Sequence, residues 1–274
     1  MDRLDGRVPR GCLPWRTALM LGVCASLLAC STLPPPDEDP TAAVTSAPTS
    51  TGGRQTSPEG ALAAGVFAGA WSEQTLPGKR RTDYRAVKFD GRACLHAQAQ
   101  SSASMFRRKL LIESTDLGRL KFSWRVPALI EAADLTRREG EDAPVRVVLA
   151  FDGDHDRLDF RTRAMFEMGE VLTGERPPFA TLMYVWENHQ PRESLILNPR
   201  TDRIRKIVVE SGAHNLGRWL SYERDVVADY RRAFGEAPGR LIGIAVMTDS
   251  DNTASNTEAH YADLTLLSRL GQTL

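Results

Sequence analysis

Hard oxygen ligands crowd the stretch Asp249-Ser250-Asp251-Asn252-Thr253, which follows an apolar run directly. Carboxylate and amide oxygens on one turn can hold Ca²⁺. They can instead accept hydrogen bonds from the turn's own backbone N–H groups, as Asx side chains do, or touch a ligand. A second acidic run, Asp152-Gly153-Asp154-His155-Asp156, places carboxylates at alternate positions. An EF-hand would need Gly at the sixth place and a bidentate Glu at the twelfth; here those are Arg157 and Arg163, which leaves a solvated acidic turn. Tyr184, Trp186 and Asn188 recur at period two, so they share one face of a strand, and Trp219 follows a glycine-containing turn. Aromatic rings beside amides are surfaces on which sugars stack and hydrogen-bond. The alternative is that Tyr184 and Trp186 are the core face, since Met183 and Val185 opposite are apolar too.

Other chemistries find no support. There is no Gly-x-Ser-x-Gly elbow and no His-Glu-x-x-His pair. His96, His155, His189, His214 and His260 lack ligand spacing. Carboxylate pairs such as Asp152 with Asp249 could serve a glycosidase only at a suitable separation.

Cys30 carries the most specific signal. Arg10 and Arg16 precede an apolar run, Ala18–Ala29, which is too short for a permanent span but suits a signal peptide. The run ends Leu27-Leu28-Ala29-Cys30, which resembles the lipobox of bacterial lipoproteins, whose Cys takes a diacylglycerol before cleavage. Residues 1–29 are thus expected to be a lipoprotein signal, and Cys30 the acylated N-terminus of the mature chain. By the same resemblance, Ser31 after the Cys favours the outer membrane, with the domain in the periplasm. Residues 30–64, rich in Pro, Ser and Thr, read as a disordered linker with a reach of roughly 30 Å. Cleavage removes four Arg and two Asp from a chain with 35 basic and 35 acidic residues, leaving 31 against 33. A net charge near −2 argues against nucleic-acid binding. Cys12 and Cys24 leave with the signal, so Cys94 is the one free thiol, expected as a small buried hydrophobe.

The elements that must position these residues are mostly strands. Leu120, Phe122, Trp124 and Val126 alternate with polar residues, giving a strand over Gly118–Val126. Tyr84–Phe89, Ala93–Gln100 and Phe106–Ile112 alternate more weakly, whereas Val145–Phe151 and Leu241–Met247 are nearly continuous in apolar residues, as in central strands covered on both sides. Ala180–Trp186, Ser194–Leu197, Ile204–Glu210 and His260–Leu267 complete the set. Helices are predicted over Val126–Glu139 and Ser221–Phe234. The fold class expected for residues 65–270 is all-β, a β-sandwich or jelly roll with one or two short helices.

Several segments then fall into a familiar order. Phe122-Ser123-Trp124-Arg125-Val126, Tyr184-Val185-Trp186-Glu187-Asn188, Leu216-Gly217-Arg218-Trp219, Asp229-Tyr230-Arg231 and Ile244 to Thr253 together resemble the bacterial family of domain of unknown function 3047, over about Ala70 to Leu267. The resemblance implies an exported domain with a galactose-binding-like jelly roll and no assigned activity. Such domains often carry a structural calcium near the last strand, which makes Asp263 a candidate partner for Asp249 and Asp251.

The expected protein is a lipid-anchored, non-catalytic binding domain of the envelope, its ligand a carbohydrate or glycan. Tyr184, Trp186, Asn188, Trp219, Asp249, Asp251 and Asn252 are the candidate contacts. The alternatives are a hydrolase of envelope polysaccharide working through Asp carboxylates, and an assembly lipoprotein that binds another protein. Cells grown with labelled palmitate should yield this polypeptide labelled, and Cys30→Ser should abolish the label; an unlabelled wild type would remove the tether.

Overall fold

The computed structural model describes Phe67 and residues 69–274; the signal, Cys30 and the linker fall outside the described residues. Among the described residues there are two sheets. The larger runs, edge to edge, β1 (Ser72–Thr75), β4 (Ala103–Ile112), β11 (Leu241–Asp249), β6 (Ala143–Phe151), β7 (Ala180–Glu187), β9 (Ile204–Ser211) and β8 (Leu195–Leu197). The smaller runs β10 (Leu220–Asp225), β5 (Leu117–Arg125), β12 (Asn256–Ser268), β3 (Arg92–Gln100) and β2 (Asp83–Phe89). Neighbours are antiparallel except β7 and β9, which are parallel. This is the all-β sandwich that the alternation predicts.

The core lies between the sheets. Val147 and Leu149 of β6 and Leu182, Tyr184 and Trp186 of β7 meet Leu120, Phe122 and Trp124 of β5. The Phe122 and Tyr184 rings, from opposite sheets, stack at 5.7 Å. Cys94 is a fully buried free thiol, as expected. The continuous apolar runs have a plain cause: outward-facing Val148, Ala245 and Met247 form a second cluster with Ala103 on the far side of the larger sheet.

Both expected helices need correction. Val126–Glu139 is a chain of turns. Asp134 Oδ1 accepts from the Thr136 amide (2.9 Å) and hydroxyl (2.6 Å), an Asx turn that competes with helix. Leu135 is drawn instead into a cluster with Val185, Ile196 and Val208 on the outer side of the larger sheet. Of Ser221–Phe234, the first part is β10, and the helix is α2 (Val226–Phe234), N-capped by Asp225. The other helix, α1 (Phe160–Thr173), is capped by Asp159 and stopped by Gly174 at φ 71°. It escapes a periodicity search because it buries only Thr162 and Phe166 while exposing Phe160 (88%), Val171 (81%) and Leu172 (62%). The fold also runs past residue 270, since the Leu274 amide donates to Leu266 O at 2.9 Å.

Trp186 is 1% exposed and its Nε1 donates to Gly212 O at 3.0 Å, so it is a core residue and not a ligand platform. Trp186→Ala should cost about 3–5 kcal/mol, whereas Phe160→Ser on α1 should stay within about 0.5 kcal/mol. Urea unfolding measures both; native stability in Trp186→Ala would contradict the core placement.

Candidate functional site

Strand register assembles a groove on the outer face of the larger sheet. Across β4, β11, β6 and β7, Met105, Met247, Arg146 and Val185 form one row and Arg107, Ala245, Val148 and Met183 the next. Lys109, Gly243, Ala150 and Thr181 form a third row. All three rows alternate with the inward core positions. The groove over all of these but Val185, which packs under Leu135, has a volume of about 1010 Å³, at the upper end of the usual ligand range of about 300–1,000 Å³. Its floor is low because its central residues are small: a Cβ at Gly243 would meet nothing nearer than Ala150 Cβ at 3.6 Å. Among the described residues no Trp, Tyr, Phe or His lines it.

The two ends differ in charge. At one end Arg146 Nε and an Nη each bond a different oxygen of Asp249 at 2.8 Å, both side chains being nearly fully buried. Arg146 also donates to Glu141 O at 2.7 Å, and Glu141 accepts from Lys206 at 2.8 Å and Arg200 at 3.1 Å. Burial pushes the Asp249 carboxyl up to about 6, against the pull of Arg146. Burial likewise lowers Lys206 to about 8, against the pull of Glu141. Each has an opposite charge beside it, Arg146 at 2.8 Å from Asp249 and Glu141 at 2.8 Å from Lys206. Arg108 also borders the groove but alternates with Arg107 and Lys109 and turns its guanidinium towards Gly69. Of the remaining charged groove-lining residues, Lys79, Arg146 and Arg200 balance Glu141, Asp249 and Asp251. At the other end, beside α1, Arg107, Lys109 and Arg176 face Glu175 alone, an excess of two positive charges. Arg107 and Lys109 hold Glu175 with three contacts of 2.8 Å, and these donors, Arg107 first, pull its carboxyl down to about 2.

The sequence candidates divide into three groups. Asp249, Asp251 and Asn252 do line the groove. Tyr184 and Trp186 do not: both are buried in the core, Tyr184 donating from its hydroxyl to Asp229 Oδ2 at 2.9 Å. Asn188 is also spent internally, its amide donating to Ile130 O and Ala133 O at 2.7 and 3.0 Å. Trp219 and Asp263 belong to the smaller sheet's outer side, where the Arg92 guanidinium covers the Trp219 ring at 4.6 Å and pairs with Asp263. Asp263 sits at a bulge of β12 with φ 53° and accepts from Ser123 Oγ at 2.9 Å. It therefore cannot join Asp249 and Asp251. The neighbouring His260 is buried, which lowers it to about 4 and keeps it neutral.

Asp142 takes the place that Asp263 was expected to fill. One oxygen each from Asp142, Asp249 and Asp251 lie within 4.8 Å of one another, close enough to share a cation. Their present partners are protein donors: Arg146 and the Ala143 amide on Asp249, Lys79 on Asp251, and the Asn252 and Thr253 amides on Asp142. The turn Asp249–Thr253 is thus capped from a distance by Asp142. The acidic run Asp152–Asp156 serves the turn and an ion pair: Asp152 pairs with Arg240 at 2.8 Å, and Asp154 accepts from the Asp156 amide at 3.0 Å. Sequence reasoning missed Arg107, Arg146, Glu141 and Glu175; alternation in β4 alone would have read Arg107 and Lys109 as a solvated face.

Comparison with known proteins places the domain in a family. The family described as "Protein of unknown function (DUF3047)" matches residues 69–265, and the chain belongs to it. No curated protein matches the chain. Among solved structures it is similar to an arabinose-bound MgGH51 α-L-arabinofuranosidase, with TM-score 0.37, 8% identity and 80% of this chain covered. This chain spans only 26% of that enzyme's length. It is also similar to the xyloglucanase domain of NopAA, a type three effector from Sinorhizobium fredii, in complex with cellobiose. There the TM-score is 0.35 and identity 7%, over 73% of this chain and 98% of that one.

Arg146→Met leaves Asp249 buried without its partner and should destabilise the fold by about 3–5 kcal/mol. The double variant Arg146→Met/Asp249→Leu should recover most of that loss. Chemical denaturation of the two variants checks the pair; equal destabilisation would show that its charges do not depend on each other.

Proposed function

We propose that this member of the DUF3047 family is a non-catalytic, lipid-tethered binding domain of the bacterial envelope whose ligand, a glycan chain, lies in the groove on the larger sheet. The observation that carries the reading is the groove itself: about 1010 Å³, floored by small and flexible apolar side chains, with polar and charged groups at its ends. Asn198, Arg200 and Asn252 at one end and Lys109 and Arg176 at the other supply hydrogen bonds suited to hydroxyl-rich rings. The apolar floor between them suits the C–H faces of sugars without aromatic stacking. The tether expected at Cys30 would keep the domain among envelope polymers.

The hydrolase alternative is weaker at the residues it names. One oxygen each of Asp249 and Asp251 lies within 4.8 Å of the other, closer than the roughly 5–10 Å between the paired carboxylates of a glycosidase. Asp249, moreover, is 3% exposed and gives both oxygens to protein donors, so neither is free to protonate a leaving group or to attack. Asp152 is spent in an ion pair with Arg240, and the nearby Asp154 and Asp159 cap helix starts.

The test is binding to a glycan array and to purified envelope polysaccharide, with Ala150→Trp as the blocked variant. Ala150 is partly exposed on the groove floor, so an indole there fills the channel. The wild type should bind, and Ala150→Trp should lose at least about tenfold in affinity, or about 1.4 kcal/mol, with an unchanged urea midpoint. No glycan bound, or equal binding by the variant, overturns the reading.

A further inference from the structure

We propose that the α1 end of the groove is an oxyanion subsite, in which Arg107 and Lys109 grip an acidic group of the ligand and the chain's own Glu175 holds that group's place in its absence. This rests on the groove being the binding surface, and it names the class of glycan: one carrying carboxylate or phosphate.

The argument begins with Arg107. It projects from β4 in the row of Ala245, with Ser72 of β1 on its other side, so small neighbours leave its guanidinium an open approach from the groove. Its side chain is only 23% exposed, and its Nε is buried with no hydrogen-bond partner. Both terminal nitrogens reach Glu175 in the parallel, two-bond arrangement that guanidinium makes with a carboxylate. Lys109, in the next outward position of the same strand, adds a third donor.

Glu175 is held differently. It follows the left-handed stop of α1 at Gly174, on an exposed turn, and its side chain is 40% exposed. Its backbone N–H donates to Thr173 Oγ1 at 3.2 Å, a bond that also lies in solvent. The fold anchors the two cations in a strand and leaves their anion on a turn after a helix. A ligand carboxylate can therefore exchange with Glu175 while the strand stays still. The charge count agrees, since Arg107, Lys109 and Arg176 exceed Glu175 by two, and an incoming anion meets a net positive end even before the exchange. A uronate presents the same two planar oxygens as Glu175; a phosphate shares the oxyanion chemistry.

The experiment measures binding of oligogalacturonate and of its fully methyl-esterified, neutral form to the full chain by calorimetry. Glu175→Gln should bind the acidic form about tenfold tighter than wild type, Arg107→Gln should lose it, and Arg107→Lys should fall between. In all three variants binding of the neutral form should change much less than binding of the acidic form, since a neutral ring brings no charge to exchange with Glu175. Inorganic phosphate that displaces oligogalacturonate supports a phosphate-bearing ligand; failure to displace it supports a carboxylate. Unchanged or weaker acidic binding in Glu175→Gln, with a native urea midpoint, overturns the subsite and leaves Glu175 a structural ion pair. Should neither of these glycans bind, the groove reading is decided by the array and envelope polysaccharide. Inorganic phosphate binding to Glu175→Gln, absent from Arg107→Gln/Glu175→Gln, then still upholds the subsite, and its failure overturns it.

Discussion

Arg146 and Asp249 hold each other by two 2.8 Å bonds across the adjacent strands β6 and β11, and one end of the groove is stacked on that pair. Neither charge can be buried alone at tolerable cost, so each requires the other in place. The consequences spread outward. Arg146 fixes the Glu141 carbonyl, the Glu141 carboxylate fixes Lys206 and Arg200, and Asp142 next in the chain caps the turn at Asn252 and Thr253. A turn that the sequence presents as a possible calcium loop is thereby held by side chains from a segment more than a hundred residues away.

The division of labour between the two faces of the larger sheet follows from volume. The bulky aromatics Tyr184, Trp186 and Trp124 fill the space between the sheets, where large side chains are needed to reach native packing density. The outer face keeps Ala150, Ala245 and Gly243, and Met105, Met183 and Met247 supply unbranched, adaptable side chains around them. The groove therefore offers an apolar floor with charges at its ends and, among the described residues, no aromatic ring.

Helix α1 links fold and site. Its cap residues Asp159 and Gly174 set where it starts and stops, and the stop delivers Glu175 to Arg107 and Lys109. The helix buries little apolar surface of its own beyond Phe166, and Arg163 ties its first turn to the carbonyls of Asp156 and Leu158.

Local order was legible in the sequence. The alternation in Gly118–Val126, the apolar runs at β6 and β11 and the family segments all identify the sandwich, because period two and turn residues are properties of neighbouring positions. Which face of a strand looks inward was not legible where both faces are apolar. Met183 and Val185 could have been core and Tyr184 and Trp186 ligand contacts, and only the second sheet, by stacking Phe122 against Tyr184, decided it. The same holds for charge. Asp249 and Asp251 were visible as candidates, but their partners Arg146, Asp142 and Lys79 come from distant strands and loops. Proximity between such residues arises from register and sheet order, which the chain settles only when it packs.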